Sequence, residues 1–207
     1  MTRKATRMTA PSNFPKDFQD CVRFHGHVCP GLAIGYAAAK AAALTLELAP
    51  SQDEEVVAIV ENDSCAVDAV QVLLGCTFGK GNLIFRDWGK QVFTFLDRKT
   101  GRAVRVSLTG SVPFRNERHE LKKRIDSGEA TDEDRNRWEQ LRLLAVNALI
   151  STDPTELFDL KKVQIEPPPH AVIVATRACA ICGELTVLDR LVEKHGQKIC
   201  LACAEDS

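Results

Sequence analysis

Three potential metal ligands lie within five positions of the stretch RFHGHVCPGLAIG, residues 23–35. His25, His27 and Cys29 are spaced two apart, so in an extended chain the two imidazoles and the thiol would share one face. Imidazole and thiolate together bind transition metals such as zinc. Taken alone, the pattern leaves two interpretations open: a metal or reaction site, or turn histidines beside a buried cysteine.

Two cysteines are expected at the N-termini of helices. Pro30 suits the first turn of a helix that we predict to run to about Leu48, which places Cys29 at its start. Cys65 follows an apolar, β-branched run and precedes a helical pattern, so it too should lie in a first turn. The positive end of a helix dipole lowers the pKa of a thiol and favours the thiolate. The two termini are therefore candidates to converge on one ion or one anionic substrate.

These donors define a predicted core site. Its candidate catalytic residues are His25, His27, Cys29 and Cys65. We predict a second divalent transition metal bound by His25, His27 and Cys65, with Cys29 as either a further ligand or a nucleophile. Three acidic residues are close in sequence: Glu61, Asp63 and Asp68. They either orient an imidazole or only cap the helix.

A glycine-rich loop, GCTFGKG at residues 75–81, invites comparison with an ATP-binding loop. In that motif four residues separate the first glycine from the Gly-Lys pair, whereas only three separate Gly75 from Gly79 here. Gly81 also replaces the hydroxyl residue that would contact magnesium, so we set an ATP site aside. The loop still permits close backbone approach, and we predict that Gly79, Lys80 and Gly81 bind an anion or substrate. Cys76 is either another soft ligand or a buried small residue, and the second interpretation is favoured.

The C-terminal segment contains two CxxC pairs. Cys179 and Cys182 are followed, after seventeen residues, by Cys200 and Cys203. Four thiolates suit tetrahedral zinc, and a segment this short depends on the metal for its folding. We predict a structural zinc with a closed coordination shell, with an iron–sulfur site or redox dithiols as the alternatives. His195 is either a spare ligand or a loop histidine, and the loop interpretation is favoured.

The composition is that of an ordinary globular protein. Of 207 residues, 44% are apolar and 27% are charged, and the net charge of −1 favours neither nucleic acid nor an anionic membrane. The basic start lacks the apolar stretch of a signal peptide, so we expect a cytoplasmic protein. The apolar run at residues 33–48 is short for a bilayer span and contains Lys40 and Glu47, which predicts a buried helix.

The remaining chain alternates between strand and helix patterns. A strand is predicted at residues 54–61 and a hairpin over residues 91–110. Two charged helices are expected between residues 114 and 151, with Thr131 and Asp134 as a capping box and a solvated outer face. The proline run at residues 166–169 stiffens the chain and marks a domain boundary. We predict a flexible tail at 1–13, a core domain at 14–168 and a zinc-finger domain at 169–207.

Three separated motifs resemble a known family. FHGHVCPGLAIG, ENDSCAVDAVQVLLGCTFGKGNL and DWGKQVFTF occur in the order and spacing of the family named after the E subunit of formylmethanofuran dehydrogenase, and the resemblance extends through ELFDLKKV. It implies an α+β core, with a mixed or antiparallel sheet packed on helices, a C-terminal treble-clef-like zinc finger, and intertwined homodimers. His25, His27 and Cys29 match the HGHxCPG motif, and Cys65 matches the cysteine after the second strand motif. The glycine loop of the family is matched by Cys76, Gly79, Lys80 and Gly81.

The family name implies an association with an enzyme that interconverts formylmethanofuran with carbon dioxide and methanofuran. That enzyme uses a molybdenum or tungsten pterin and iron–sulfur clusters, and this sequence resembles neither a pterin-binding domain nor a ferredoxin cluster run. We therefore expect an accessory subunit of an oxidoreductase complex, or a thiol- or metal-dependent redox-associated protein. One alternative is a metal-sensing or regulatory adaptor whose zinc finger contacts protein or nucleic acid. Another is a purely structural component of such a complex.

Overall fold

A computed structural model describes residues 13–205 of the chain. The chain divides into two compact units, of which the first ends at Pro169 and the second begins at His170. The boundary predicted from the proline run, between residues 168 and 169, lies one residue before this division. The flexible tail predicted at residues 1–13 lies outside the described residues except for its last position.

A five-stranded sheet forms the centre of the first unit. Its strands are β1 (Val56–Val60), β2 (Leu83–Phe85), β3 (Val92–Asp97), β4 (Ala103–Leu108) and β5 (Phe158–Val163). The order is β2-β1-β3-β4-β5, in which β1 and β2 are parallel and the other pairs antiparallel. The predicted α+β class with a mixed sheet is confirmed, as is the predicted hairpin, which is β3 and β4.

The helices of the first unit lie over one face of this sheet, some packed directly on its strands and others on neighbouring helices. They are α1 (Lys16–His25), α2 (Pro30–Leu46), α3 (Ala66–Leu74), α4 (Arg115–Asp126), α5 (Asp132–Ser151) and α6 (Pro154–Leu157). Alternate residues of β1, namely Val56, Ala58 and Val60, belong to the same buried cluster as the apolar faces of the helices. Val57, between them, points to the opposite face, as the two-residue period of a strand requires.

The long helix α2 is buried along most of its length, as predicted from its apolar, alanine-rich sequence. Small side chains let other backbone come close, and the closest approach is at Gly35. A Cβ at this position would lie 1.9 Å from the carbonyl oxygen of Ala66, the first residue of α3. Gly35 therefore allows α2 to pack tightly against the beginning of α3, and the first residues of both helices lie side by side.

The two charged helices form an outer layer. Thr131 and Asp134 make the predicted capping box at the start of α5, and that helix buries Leu141, Ala145 and Leu149. The opposite sides of α4 and α5 are exposed and charged. Within residues 13–205, no helix has both the length and the apolar character that a membrane crossing requires.

The second unit consists of two short hairpins and a terminal helix. Strands β6 (Thr176–Ala178) and β7 (Leu185–Val187) form the first hairpin, and β8 (Leu191–Lys194) and β9 (Gln197–Cys200) form the second. A 3₁₀ turn connects the hairpins, and α7 (Leu201–Glu205) follows β9 directly. Among the described residues of this unit, those that are buried are Cys179, Ile199 and Cys200.

Candidate metal centres

Four donor atoms of the first unit lie close enough together to hold one metal ion. A ring nitrogen from each of His25 and His27 and the sulfur atoms of Cys29 and Cys65 all lie within 4.8 Å of one another. His25 is the last residue of α1, His27 lies in the turn that follows, and the two cysteines are the N-caps of α2 and α3. We call this group the core cluster. It brings together two stretches that are far apart in the sequence.

An extended chain is one way in which residues 23–29 could bring their donors to one face, and the structure uses another. Arg23–His25 is the last turn of α1. Gly26 then adopts φ +96°, a left-handed conformation that favours glycine, and reverses the chain. The centroids of the His25 and His27 rings lie 4.3 Å apart. A helix end followed by a glycine turn, rather than the alternation of a strand, brings the two imidazoles together.

The Cys29 sulfur is both a donor of the core cluster and the cap of a helix. It accepts a hydrogen bond from the backbone N–H of Leu32 at 3.3 Å. Gly31 occupies the space between the two cysteines, since a Cβ there would lie 3.2 Å from the Cys65 Cβ and 3.8 Å from both sulfur atoms. The sequence motif Cys-Pro-Gly therefore starts a helix and leaves room for a second cysteine beside it.

In the absence of a metal ion, the thiol of Cys29 keeps its proton. Burial raises its pKa to about 11 against the opposing effect of the Leu32 N–H, and the neighbouring Cys65 adds to the increase. The N–H groups at the start of α2 lower the pKa of this thiol, as expected for a helix N-terminus, but burial has the larger effect. A bound cation would reverse this balance, since metal coordination displaces the thiol proton.

A carboxylate orients one of the two imidazoles. The Asp68 Oδ2 lies 2.7 Å from His25 Nδ1, while His25 Nε2 lies 3.7 Å from the Cys29 sulfur. A carboxylate on one ring nitrogen fixes the ring and makes the other nitrogen available to a metal. Burial, together with the neighbouring His25 and Arg142, lowers the pKa of His27, so that its ring is neutral at pH 7 and able to act as a ligand.

The other two acids near Cys65 have different roles. Glu61 is buried and accepts hydrogen bonds from Arg105 at 3.1 and 3.2 Å. Asp63 is exposed to solvent. Of the three carboxylates whose role the sequence left open, Asp68 is therefore the one that contacts an imidazole of the core cluster.

The predicted anion loop lies at the opposite end of α3 from the core cluster. The ammonium group of Lys80 donates hydrogen bonds to the backbone carbonyls of Ser51 at 2.9 Å and Gln52 at 3.4 Å. These contacts anchor the loop to the chain before β1. The anion-binding role assigned to Gly79, Lys80 and Gly81 stays a prediction.

The cysteine of that loop is a core residue. Cys76 is fully buried, and its thiol donates a hydrogen bond to the carbonyl of Val56 at 3.4 Å. Burial raises the pKa of this thiol to about 12. The structure therefore agrees with the favoured interpretation of Cys76 as a small buried side chain.

Sequence reasoning missed two arginines near the core cluster. Arg142 of α5 influences the pKa of His27, and the charges of Arg118 of α4 and Cys29 influence each other. Both arginines lie on helices whose dense charge indicated a solvated surface, and no local spacing connects them with the histidines. Arg142 is buried, at 6% exposure, and forms an ion pair with Glu139.

The four cysteines of the second unit form another cluster, which we call the finger cluster. The sulfur atoms of Cys179, Cys182, Cys200 and Cys203 all lie within 4.8 Å of one another. The first pair lies in the turn between β6 and β7, and the second pair lies at the junction of β9 and α7. Gly183 follows the first pair at φ +74°, a left-handed conformation that this turn requires.

Backbone N–H groups point at the sulfur atoms of the finger cluster. The N–H groups of Cys182 and Cys200 are the main reason that the pKa of Cys179 falls to about 6. Hydrogen bonding to Cys200 and burial raise the pKa of Cys203 to about 12. The thiols of Cys179 and Cys203 therefore differ in how readily they lose a proton. His195 lies in the turn between β8 and β9, outside the finger cluster, as the loop interpretation expected.

Comparison with known proteins places this geometry in a family. Residues 24–159 match the family described as "FmdE, Molybdenum formylmethanofuran dehydrogenase operon", and this range includes all four donors of the core cluster. The crystal structure of a tungsten formylmethanofuran dehydrogenase FmdE-like protein from Syntrophus aciditrophicus is similar, with a TM-score of 0.59 and 25% identity. That comparison covers 91% of this chain and 90% of the other.

A longer relative is known from Archaeoglobus fulgidus. It is named "Probable S-adenosyl-L-methionine-binding protein" and is 35% identical over 195 residues, which cover 87% of this chain. The chain spans about half the length of that relative, since the alignment covers 50% of it. The family match extends over more than half of the chain and agrees with the motifs and the fold. This chain belongs to the FmdE family.

Proposed function

We propose that this FmdE-family chain binds a divalent transition metal in its core cluster and acts as an accessory, redox-associated subunit of an oxidoreductase. The observation that carries the proposal is the convergence of two imidazoles and two thiols within 4.8 Å from three separate structural elements. Two imidazoles and two thiols that face one another at such distances have the arrangement of a coordination shell.

The donor set favours zinc or a similar borderline metal. Two nitrogen and two sulfur ligands suit tetrahedral coordination, whereas magnesium and calcium prefer oxygen. Asp68 adds the carboxylate that commonly holds a ligating imidazole, at 2.7 Å from His25. The core cluster therefore has ligands and a supporting hydrogen bond of the kind found in metal centres.

The four donors differ in their access to solvent. His27 is exposed, whereas His25, Cys29 and Cys65 are partly buried. A bound divalent ion would supply positive charge for polarising a substrate or stabilising a thiolate. Replacement of His27 by water or by a substrate atom would open a coordination position while the three inner donors remain in place. The reactive side of the core cluster is therefore the side of His27.

Zinc in the finger cluster has a structural role under this proposal. Four thiolates fill a tetrahedral shell and leave no position for a substrate. The second unit has little apolar core, so the metal supplies much of its folding free energy. Its fold and its four ligands support the treble-clef-like zinc finger that the resemblance implies.

The accessory role is supported by the relatives. The Syntrophus aciditrophicus protein is named after a component of a tungsten enzyme, and the family after the operon of a molybdenum enzyme. S-adenosylmethionine binding is not part of the proposal, because this chain spans only half of the relative that has this name.

A homodimer is also proposed for this chain. Three large apolar side chains of the first unit, Phe78, Phe85 and Trp88, are exposed by 84%, 49% and 55%. Exposed apolar surface of this kind is typical of sites that contact another protein. Light scattering on the purified chain would test the proposal, and a monomeric mass at micromolar concentration would contradict it.

Metal analysis of the purified chain tests the core site. We expect about two ions per chain, one in each cluster, and one fewer in a Cys65→Ser variant that keeps its circular dichroism spectrum. Measurement near pH 8 favours occupancy, because the Cys29 thiol, with a pKa of about 11, must lose its proton to bind the ion. Since its pKa is raised, occupancy should fall as the pH is lowered.

A matched variant controls for the loss of any cysteine. Cys76→Ala removes a buried thiol that is not part of either cluster, so it should keep both ions even if it lowers the melting temperature. One ion per wild-type chain, or an unchanged ion count in Cys65→Ser, would show that the core cluster is not a metal site. A Cys65→Ser variant that still binds its partner subunits but no longer responds to added metal would support the alternative of a metal-sensing adaptor.

A further inference from the structure

Two cysteines of the core cluster lie side by side. The sulfur atoms of Cys29 and Cys65 are within 4.8 Å of each other. A disulfide bond is about 2.05 Å long, so one of the two side chains has to turn for the bond to form. Turning Cys65 leaves its helix intact, because this side chain makes no capping hydrogen bond to α3. The pair therefore has the proximity and the freedom that a disulfide requires.

The backbone holds this pair together without the help of an ion. Cys29 and Cys65 are the N-cap residues of α2 and α3. These two helices touch near their beginnings, since a Cβ at Gly35 would overlap the carbonyl oxygen of Ala66. Both helices are fixed in the large apolar core of the first unit. We therefore expect the two thiols to remain neighbours in the ion-free protein.

The four cysteines of the first unit are of two kinds. Cys21 and Cys76 are both 0% exposed, and neither is part of a group of neighbouring donors. Cys29 and Cys65 are partly exposed. To close a disulfide, a thiol has to be accessible to a reagent and has to have a second thiol beside it. Of these four cysteines, Cys29 and Cys65 meet both conditions.

We propose that Cys29 and Cys65 are an oxidation site, at which a small-molecule disulfide converts the two thiols of the ion-free core cluster into a Cys29–Cys65 disulfide. One sulfur attacks the reagent and releases half of it as a thiol, and the sulfur of the other cysteine then displaces the second half. The protein loses two electrons and two protons, and the reagent gains them as two thiols. The inference deepens the proposed function, because it rests on the core metal and names what regulates its binding.

Oxidation and metal binding exclude each other at this site. A metal is bound by thiolates, and the sulfur atoms of a disulfide are no longer thiolates. The disulfide would leave the two imidazoles as the donors of the core cluster, which are too few for a tetrahedral shell. The balance between thiols and disulfides around the protein therefore determines how much metal the core cluster holds.

Peptide mapping of the full chain tests this site. The chain is freed of metal with a chelator and treated with oxidised glutathione in the absence of denaturant. The remaining thiols are then alkylated in denaturant, and the peptides are identified by mass spectrometry. Trypsin and an Asp-specific protease together separate the four cysteines of the first unit, by cutting after Arg23 and before Asp68. The cysteines of the finger cluster lie on other peptides and are counted separately.

We expect the peptides of Cys29 and Cys65 to be linked and those of Cys21 and Cys76 to be alkylated. Zinc at about ten times its dissociation constant for the core cluster should slow formation of the link about tenfold, because only the ion-free fraction reacts. The oxidised chain should bind one ion fewer at the core cluster, and a reductant should restore it. Treatment in urea is the reference for pairing without structure, and it should link the four cysteines with no such preference.

Two variants follow the two steps of the reaction. In Cys65→Ser, glutathione should stay attached to Cys29, because no second sulfur displaces it. Cys29→Ser is the reciprocal variant and should keep glutathione on Cys65, so the test does not depend on the folding of either variant alone. Cys76→Ala is the matched control and should form the Cys29–Cys65 link at the wild-type rate.

The ion count distinguishes failure of this inference from failure of the proposed function. Two ions per chain without the link in the ion-free protein, a link that forms equally fast with zinc bound, or pairing with Cys21 or Cys76 to the same extent would overturn the oxidation site alone. One ion per chain together with a selective Cys29–Cys65 link would overturn the proposed core metal and support the oxidation site.

Discussion

The core cluster and the finger cluster each bring four donor atoms within 4.8 Å, but they are surrounded by very different amounts of structure. The core cluster lies at the ends of three helices that pack into a large apolar core. In the finger cluster, two of the donors are themselves among the buried residues, and Ile199 is their main buried apolar neighbour.

This difference separates two ways of building a metal site. In the first unit, burial in an apolar core fixes the helices, and the donors are positioned as a result. In the second unit the apolar contacts are few, so under the proposed function a metal ion in the finger cluster would organise the chain. We therefore expect the core unit to keep its fold without its ion and the second unit to lose its fold.

The largest effect is expected from a variant of the finger cluster. Cys200→Ser should abolish zinc binding there and unfold residues 170–207, because the apparent binding energy of structural zinc is about 10–16 kcal/mol. Backbone amide spectra should show collapse of the signals from the second unit, while those from the first unit remain dispersed. Dispersed signals from β8 and β9 in this variant would contradict the expectation that the second unit needs its metal ion to fold.

A smaller but clear effect is expected where α2 and α3 touch. Gly35→Ala places a methyl group where the backbone of Ala66 lies, so it should destabilise the first unit by about 1–3 kcal/mol and weaken metal binding at the core cluster. Thermal unfolding and metal analysis measure the two effects. Gly79→Ala is the control, since a Cβ there meets no atom within 4 Å, and it should change neither quantity.

The smallest effect is expected from the carboxylate behind the imidazole. Asp68→Asn should weaken metal binding at the core cluster by about 10–100-fold and leave the finger cluster unchanged. Competition with a chromophoric chelator would measure this. Asp63→Asn removes a nearby exposed carboxylate and should have no effect; equal losses in both variants would mean that only the net charge matters.

The donor residues of the core cluster could be predicted from the sequence, whereas the chain path and the charged residues around them could not. His25, His27 and Cys29 are close in sequence, and the helical patterns placed both cysteines at helix starts, so their positions follow from local rules. Residues 23–29 do not form the extended segment in which these three donors would share a face, because Gly26 ends a helix within it.

Other features depended on tertiary contacts that no local pattern contains. Asp63 and Asp68 are similar in the sequence, and only the packing of α1 beside α3 shows which one reaches His25. Arg118 and Arg142 were hidden in helices rich in charge, because a long side chain can turn inward from an otherwise solvated helix. The Lys80 ammonium group likewise binds the carbonyl of Ser51, which is about thirty residues away in the sequence, so its position could not be predicted from its own loop.

The hydrogen bond between Cys29 Sγ and the Leu32 N–H has a consequence for how the core responds to its ion. One sulfur atom serves both a helix and a coordination shell, and a thiolate is a stronger acceptor than a thiol. An ion bound in the core cluster, as proposed, would therefore tighten the opening turn of α2, and the exchange rate of that single amide proton would report from within the backbone whether the ion is present.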